Sequence, residues 1–186
     1  MQQLTPTQVL QEKGRRLARI NSWKRLAASL ACTIACTLLL FGLIFGIAVV
    51  HGSSMNPAFR ENDLALFFRV GHYISGGYSA GDVIILQADA RGLRKYVKRV
   101  VGVPGDTVDI GPEGLVLING GPLEELYTKG FTRRKELELP LRLGPGEYFV
   151  LGDNRENSND SRNFGAVTAQ QIEGKVIAVL RTGKRV

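Results

Sequence analysis

The sequence is poor in the residues that staple or metallate small domains, with two cysteines and two histidines in 186 residues. Two cysteines cannot build a disulfide framework, and two histidines leave little for a zinc site. Residues 51–186 contain no cysteine, so cysteine usage says nothing about redox compartment. No repeat of fixed period runs through the seven prolines and 22 glycines, which excludes collagen-like and solenoid architectures. Nor is the chain starved of apolar residues: at 44% hydrophobic it is not intrinsically disordered. The length suits one domain with a core of its own.

Charge is unevenly placed. The net charge is +7, yet residues 1–50 hold six basic side chains against one acidic, leaving 18 against 16 for the rest. A basic chain invites a nucleic-acid reading, but most of this excess lies beside a hydrophobic run, which argues against it. From Leu26 to Val50 there is no charge, no Asn or Gln and no Pro. As a helix, that run would reach roughly 38 Å, enough to span a bilayer with some tilt. A cleaved signal peptide would have a shorter apolar region ending in small residues, whereas this run ends Ala48-Val49-Val50-His51. Ser29-Leu30-Ala31-Cys32 has the look of a lipoprotein box, but too little apolar chain precedes it.

The expectation is therefore three segments: a basic cytoplasmic piece at 1–25, a transmembrane helix at 26–50 and an extracytoplasmic domain at 51–186. The Lys/Arg cluster before the span sets that orientation. Leu10, Leu17, Ile20 and Trp23 fit either an amphipathic helix on the inner surface or a solvated tail. Cys32 and Cys36 read as small apolar filler, and Gly42 and Gly46 as a small-residue pair that could bring two helices together, with lipid exposure the default.

Beyond the anchor, short apolar runs alternate with Gly and Pro. Candidate strands are Leu64–Val70, Asp82–Leu86, Tyr96–Val103, Thr107–Ile110, Leu115–Asn119, Glu147–Leu151 and Lys175–Arg181. Thr168–Glu173 is the one short helical candidate. The fold class is mostly β, an antiparallel-sheet or β-barrel-like domain. Gly71–Gly81 and Gly120–Pro140 read as excursions from the sheet, the latter with a basic cluster at Phe131–Lys135 that fits a solvated surface or, less well, a contact with lipid headgroups.

Three segments could carry chemistry. His51-Gly52-Ser53-Ser54-Met55-Asn56-Pro57 follows the anchor directly. Lys98 lies inside the apolar run Tyr96–Val103, where alternation sends Lys98 and Arg99 to opposite faces. A desolvated lysine has a lowered pKa and can act as a base. Asp153–Asn163 is an unbroken run of eleven polar residues, read either as a linker or as a rigid, self-satisfying loop. Together they suggest a serine activated by lysine. His51 and His72 offer a serine–histidine alternative, without an evident carboxylate partner in sequence.

These segments are similar to the type I signal peptidase, or leader peptidase, family. The match runs in order through Ser54-Met55-Asn56-Pro57, Gly81-Asp82-Val83-Ile84, Tyr96-Val97-Lys98-Arg99, Gly102–Asp106, Gly152-Asp153-Asn154-Arg155, Asn157-Ser158, Asp160-Ser161-Arg162 and Gly165. The resemblance implies Ser54 as nucleophile, in preference to Ser53, and Lys98 as its base. Ser158 resembles the serine that orients the lysine amine. Asp153 with Arg99, and Asp160 with Arg162, resemble supporting ion pairs. The oxyanion hole falls to the Ser54 backbone N–H, with Gly52 standing where part of the family carries a hole-forming serine. No cofactor or metal is implied.

The implied activity is removal of signal peptides from exported preproteins, after small residues as in A-x-A, at the plasma membrane. The partners implied are preproteins, the lipid bilayer and export machinery, and no nucleic acid. Two alternatives stand beside it. One is a specialised Ser/Lys maturation peptidase of conjugation, pilus or organellar type. The other is a non-enzymatic, membrane-tethered peptide-binding β domain.

Overall fold

The computed structural model describes residues 6–70, 76–87 and 95–181, with side chains from Ser22 onward. The chain divides into two compact units, Met1–Leu43 and Ile44–Val186. The side chains of Leu10, Leu17 and Ile20, and residue His72 with the first half of the Gly71–Gly81 segment, lie outside the described residues.

The first unit is helical. Helix α1 spans Pro6–Ile44, and its stretch Ser22–Ile44 is long and apolar enough to cross a membrane. Trp23, Leu26, Leu30, Ile34, Leu38 and Phe41 are all exposed along it. Its few hydroxyls turn back onto the helix: Ser29 Oγ donates to the Leu26 carbonyl, and Thr33 and Thr37 donate to the carbonyls four residues before them. These three hydroxyls thus find a partner within the helix, as a hydrocarbon environment requires.

The helix ends six residues before the expected Val50. Phe45–Val49 forms strand β1 instead. An apolar run alone does not distinguish helix from strand, and here a partner decides. β1 pairs antiparallel with β2 (Leu64–Phe68) from Phe45↔Phe68 to Val49↔Leu64. Gly46 permits the pairing, because a Cβ there would sit 2.3 Å from the Phe67 ring.

The second unit continues with β3 (Val83–Gln87), β4 (Lys95–Gly102), β5 (Thr107–Ile110), β6 (Val116–Ile118), β7 (Gly121–Pro122) and β8 (Leu141–Arg142). Then come β9 (Glu147–Leu151), short helix α2 (Ser161–Phe164), β10 (Val167–Thr168) and β11 (Ile172–Leu180). A seven-stranded sheet runs β1-β2-β11-β3-β4-β9-β10, and a four-stranded sheet runs β7-β6-β5-β8. Every pairing between these strands is antiparallel, so the mostly β, antiparallel expectation is borne out. The helical candidate at Thr168–Glu173 resolves into a single 3₁₀ turn, Ala169–Gln171, and β11 starts at Ile172.

Strand β4 organises the packing. Val100 faces one buried cluster with Ile84, Leu86, Tyr148 and Val150, while Val101 faces another with Val108, Val116, Leu143 and Phe149. The second cluster joins the two sheets. A third cluster, Val50, Met55, Phe59 and Ala65, seats the turn that follows β1.

Gly174 lies on β11 between β2 and β3, where a Cβ would meet the Phe68 carbonyl oxygen at 2.5 Å. That neighbour is backbone and cannot swing aside. Gly174→Ala is expected to destabilise the fold by about 1–3 kcal/mol, the usual range for overpacking, read as a lower thermal unfolding midpoint.

Candidate active site

The turn after β1 is fixed from both ends. Val50 N–H donates to the Asp63 carbonyl and Asn62 N–H to that of Val50. Asn56 N–H then donates to the Ser53 carbonyl and Phe59 N–H to the Met55 carbonyl, with Met55 and Phe59 buried beneath. This leaves Ser54 at a defined position on the turn.

Lys98 comes to it from β4. The alternation of the strand puts Lys98 on the face of Tyr96 and Val100, opposite Ile84 on β3. Its side chain is 2% exposed. Nζ lies 2.8 Å from Ser54 Oγ and 3.1 Å from the Val97 carbonyl oxygen, and 5.3 Å from the centre of the Tyr96 ring. Burial lowers the lysine pKa to about 8. The carboxylates of Asp160 and Asp153 pull it up again, while Arg162 and Lys135 push it down. The geometry also separates the two serines, since Ser53 Oγ accepts from Asn157 Nδ2 at 2.6 Å and is not the lysine's neighbour.

Arg99 points the other way. Its guanidinium grips Asp153 with two bonds, at 2.8 and 2.7 Å, donates to the Gly81 carbonyl and stacks 4.0 Å from the Tyr127 ring centre. Asp160 and Arg162 form a second two-pronged pair, at 2.8 Å for both bonds, with both side chains buried. Burial opposes the charge on Asp160, but bonds from Arg162 and the Gly152 N–H outweigh it and hold the carboxyl below its ordinary value. The run Asp153–Asn163 is thus a rigid, self-satisfying loop and no linker. It clasps the serine turn directly: Asn154 N–H donates to the Ser54 carbonyl and Asn154 Nδ2 to the Ser53 carbonyl.

Ser158 is buried beside this pair without the bond expected of it. Its Oγ has no hydrogen-bond partner among the described residues. It packs on Gly152, where a Cβ would meet Ser158 Oγ at 2.3 Å and the Ser54 carbonyl oxygen at 2.5 Å. Gly52 takes a left-handed φ of +84°, and its N–H is committed to the Glu61 carboxylate. The Ser54 N–H donates to no group among the described residues. His51 does have a carboxylate partner, Glu61 at 3.3 Å, but both are exposed and the histidine makes no bond to Ser54.

Several supporting residues escaped the sequence reading. Arg155 is buried, bonded to Glu125, to Thr132 Oγ1 and to the Gly152 carbonyl. Glu125, Thr132 and Lys135 all come from the Gly120–Pro140 excursion, whose sequence shows little alternation. Arg155 had a signal in its place inside the polar run, and Lys135 in a basic cluster read as solvated; Glu125 had none.

The family model for signal peptidase, peptidase S26, matches residues 23–181. Signal peptidase I S of Bacillus subtilis (strain 168) is 36% identical over 136 residues, 68% of this chain and 71% of that protein. Signal peptidase IB of Staphylococcus aureus (strain COL) is 36% identical over 143 residues, 68% of this chain and 73% of that one. A solved signal peptidase I from Enterococcus faecalis V583 is 31% identical, covering 54% of this chain and 97% of that chain, with a TM-score of 0.43. The match spans the anchor segment, the serine turn, β4 and the polar loop alike, and the chain belongs to the signal peptidase family, peptidase S26.

Proposed function

We propose that this signal-peptide-removing serine peptidase works through Ser54 and Lys98. One observation carries the assignment: a buried lysine amine 2.8 Å from a serine hydroxyl. A lysine in water is protonated far above neutral pH, with a pKa of about 10.4. Lowered to about 8, the amine is neutral in part of the population near physiological pH and can take the serine proton. Ser54 Oγ then attacks the scissile carbonyl, giving a tetrahedral oxyanion. Lysine returns the proton to the leaving amine, and an acyl-enzyme remains. Neutral Lys98 next activates a water that releases the acyl group. The unengaged Ser54 N–H is a donor for the oxyanion.

Substrate recognition follows from open backbone. β1 ends the large sheet, and among the described residues its outer edge has no partner strand. Along β4, β9 pairs with Arg99–Gly102, which leaves the Lys95–Lys98 half without a partner strand on that side among the described residues. An extended signal peptide can bond to such edges and present alternate side chains to shallow pockets, which suits small residues in an A-x-A pattern. The N-terminal helix anchors the chain in a membrane. By its basic flank we place the N-terminus in the cytoplasm and the peptidase domain on the outer side of the plasma membrane, beside lipid and the export machinery.

The active lysine is the neutral one, so kcat/KM should rise with pH up to about 8, the lysine's value, and level off above it. Ser54→Ala and Lys98→Ala should each abolish cleavage of an A-x-A preprotein, with non-additive losses in the double variant. A profile set near pH 6.5 and removed by His51→Ala would instead select histidine as the base. Gly152→Ala should cost most of the activity, because its Cβ would displace the Ser54 carbonyl. Stability reports the same group independently. The folded lysine sits below its unfolded value, so the fold gains stability as pH rises from about 8 to about 10.4. Below that window the buried charge costs about 3 kcal/mol. Lys98→Met should therefore unfold at a temperature no lower than wild type at pH 7, with its relative advantage fading above pH 9.

A further inference from the structure

The basic cluster Phe131–Lys135 is not uniformly a solvated face. Arg134 is spent on Asp109 and on the carbonyls of Ile110 and Leu139, and Arg133 lies over the Phe131 ring. Lys135 behaves differently. Its Nζ donates to the Ser158 carbonyl oxygen at 2.5 Å and to Asn163 Oδ1 at 3.1 Å. Ser158 is the buried residue packed on Gly152, which in turn packs on the Ser54 peptide. A single surface lysine thus ties down the segment that backs the serine–lysine pair.

We propose that Lys135 is a positioning residue of the Ser54–Lys98 pair: its ammonium group fixes the Ser158 peptide and adds a positive charge facing Lys98. The inference rests on the reading of Lys98 as the base. The charged groups facing Lys98 are Asp160, Asp153, Arg162 and Lys135, with the Tyr96 ring alongside. Those facing Lys135 are Arg162, Asp160 and Glu136. Each of the two aspartates near Lys98 is gripped by an arginine, Asp153 by Arg99 and Asp160 by Arg162. Lys135 has no carboxylate bonded to it among the described residues, so its charge is offset by no direct ion pair. A cation in that position disfavours a second cation at Lys98 and so favours the neutral amine.

The test compares full-length wild type, Lys135→Gln, Lys135→Met and Lys135→Arg on an A-x-A preprotein, from about pH 6 to about pH 10. In the two charge-free variants the acid limb of kcat/KM should move up by about half a pH unit, roughly a threefold loss below the limb. KM should change little. The Arg variant should keep the wild-type limb, and the shift in the Gln variant should shrink at about 1 M salt. Unfolding midpoints separate any loss of fold from the shift itself. A limb that stays where it was in Lys135→Gln and Lys135→Met, whatever activity is lost, overturns the proposal; so does an Arg variant whose limb moves with theirs. NMR titration of the Lys98 amine in a Ser54→Ala background, with and without Lys135→Gln, reads the same shift with no turnover. Absence of Ser54-dependent cleavage would sink the peptidase mechanism, while the titration would still decide the role of Lys135.

Discussion

A lysine amine removed from water and set against a hydroxyl is the constraint on which the rest of this domain turns. Desolvation alone disfavours the charged form of such a group. The fold supplies it by placing Lys98 on the inward face of β4, between Tyr96 and Val100 and opposite Ile84. Arg99, one residue on, must then face the other way, and it is used there to hold Asp153. One strand thus delivers the proposed base to one side and anchors the polar loop on the other. The loop closes the arrangement by bonding to the carbonyls of Ser53 and Ser54.

The parts of this design visible in the sequence are those written in local pattern. β2, β3, β4, β5 and β9 announce themselves as short β-branched and aromatic runs between turn residues. Lys98 stands out as a charge within such a run, and the polar loop as a break in hydrophobicity. What local pattern cannot show is where an apolar run changes partner. Phe45–Val49 continues the apolar helix without a breaker other than Gly46, and only its pairing with Leu64–Phe68 makes it a strand. The choice of Ser54 over Ser53 likewise needed coordinates or a relative, because two adjacent serines differ only in what lies across from them. Glu125, Thr132 and Lys135 were illegible for the same reason. Their partners Arg155 and Ser158 lie more than twenty residues away.

The ion pairs of the loop have an electrostatic consequence besides a structural one. Asp153 and Asp160 both lie close enough to Lys98 to raise its pKa. Left unpaired, two carboxylates beside the amine would favour the ammonium form and undo the effect of burial. Each is instead gripped by an arginine with two bonds, and Arg162 offsets part of their pull at the lysine, where burial remains the largest influence. A buried ion pair adds little net stability over apolar packing. Its value in this site is that it lets the chain place rigid hydrogen-bonding groups beside Lys98 with their charge partly compensated. Removing Arg162 would therefore act twice, loosening the loop and taking away a positive charge that disfavours the proton on Lys98.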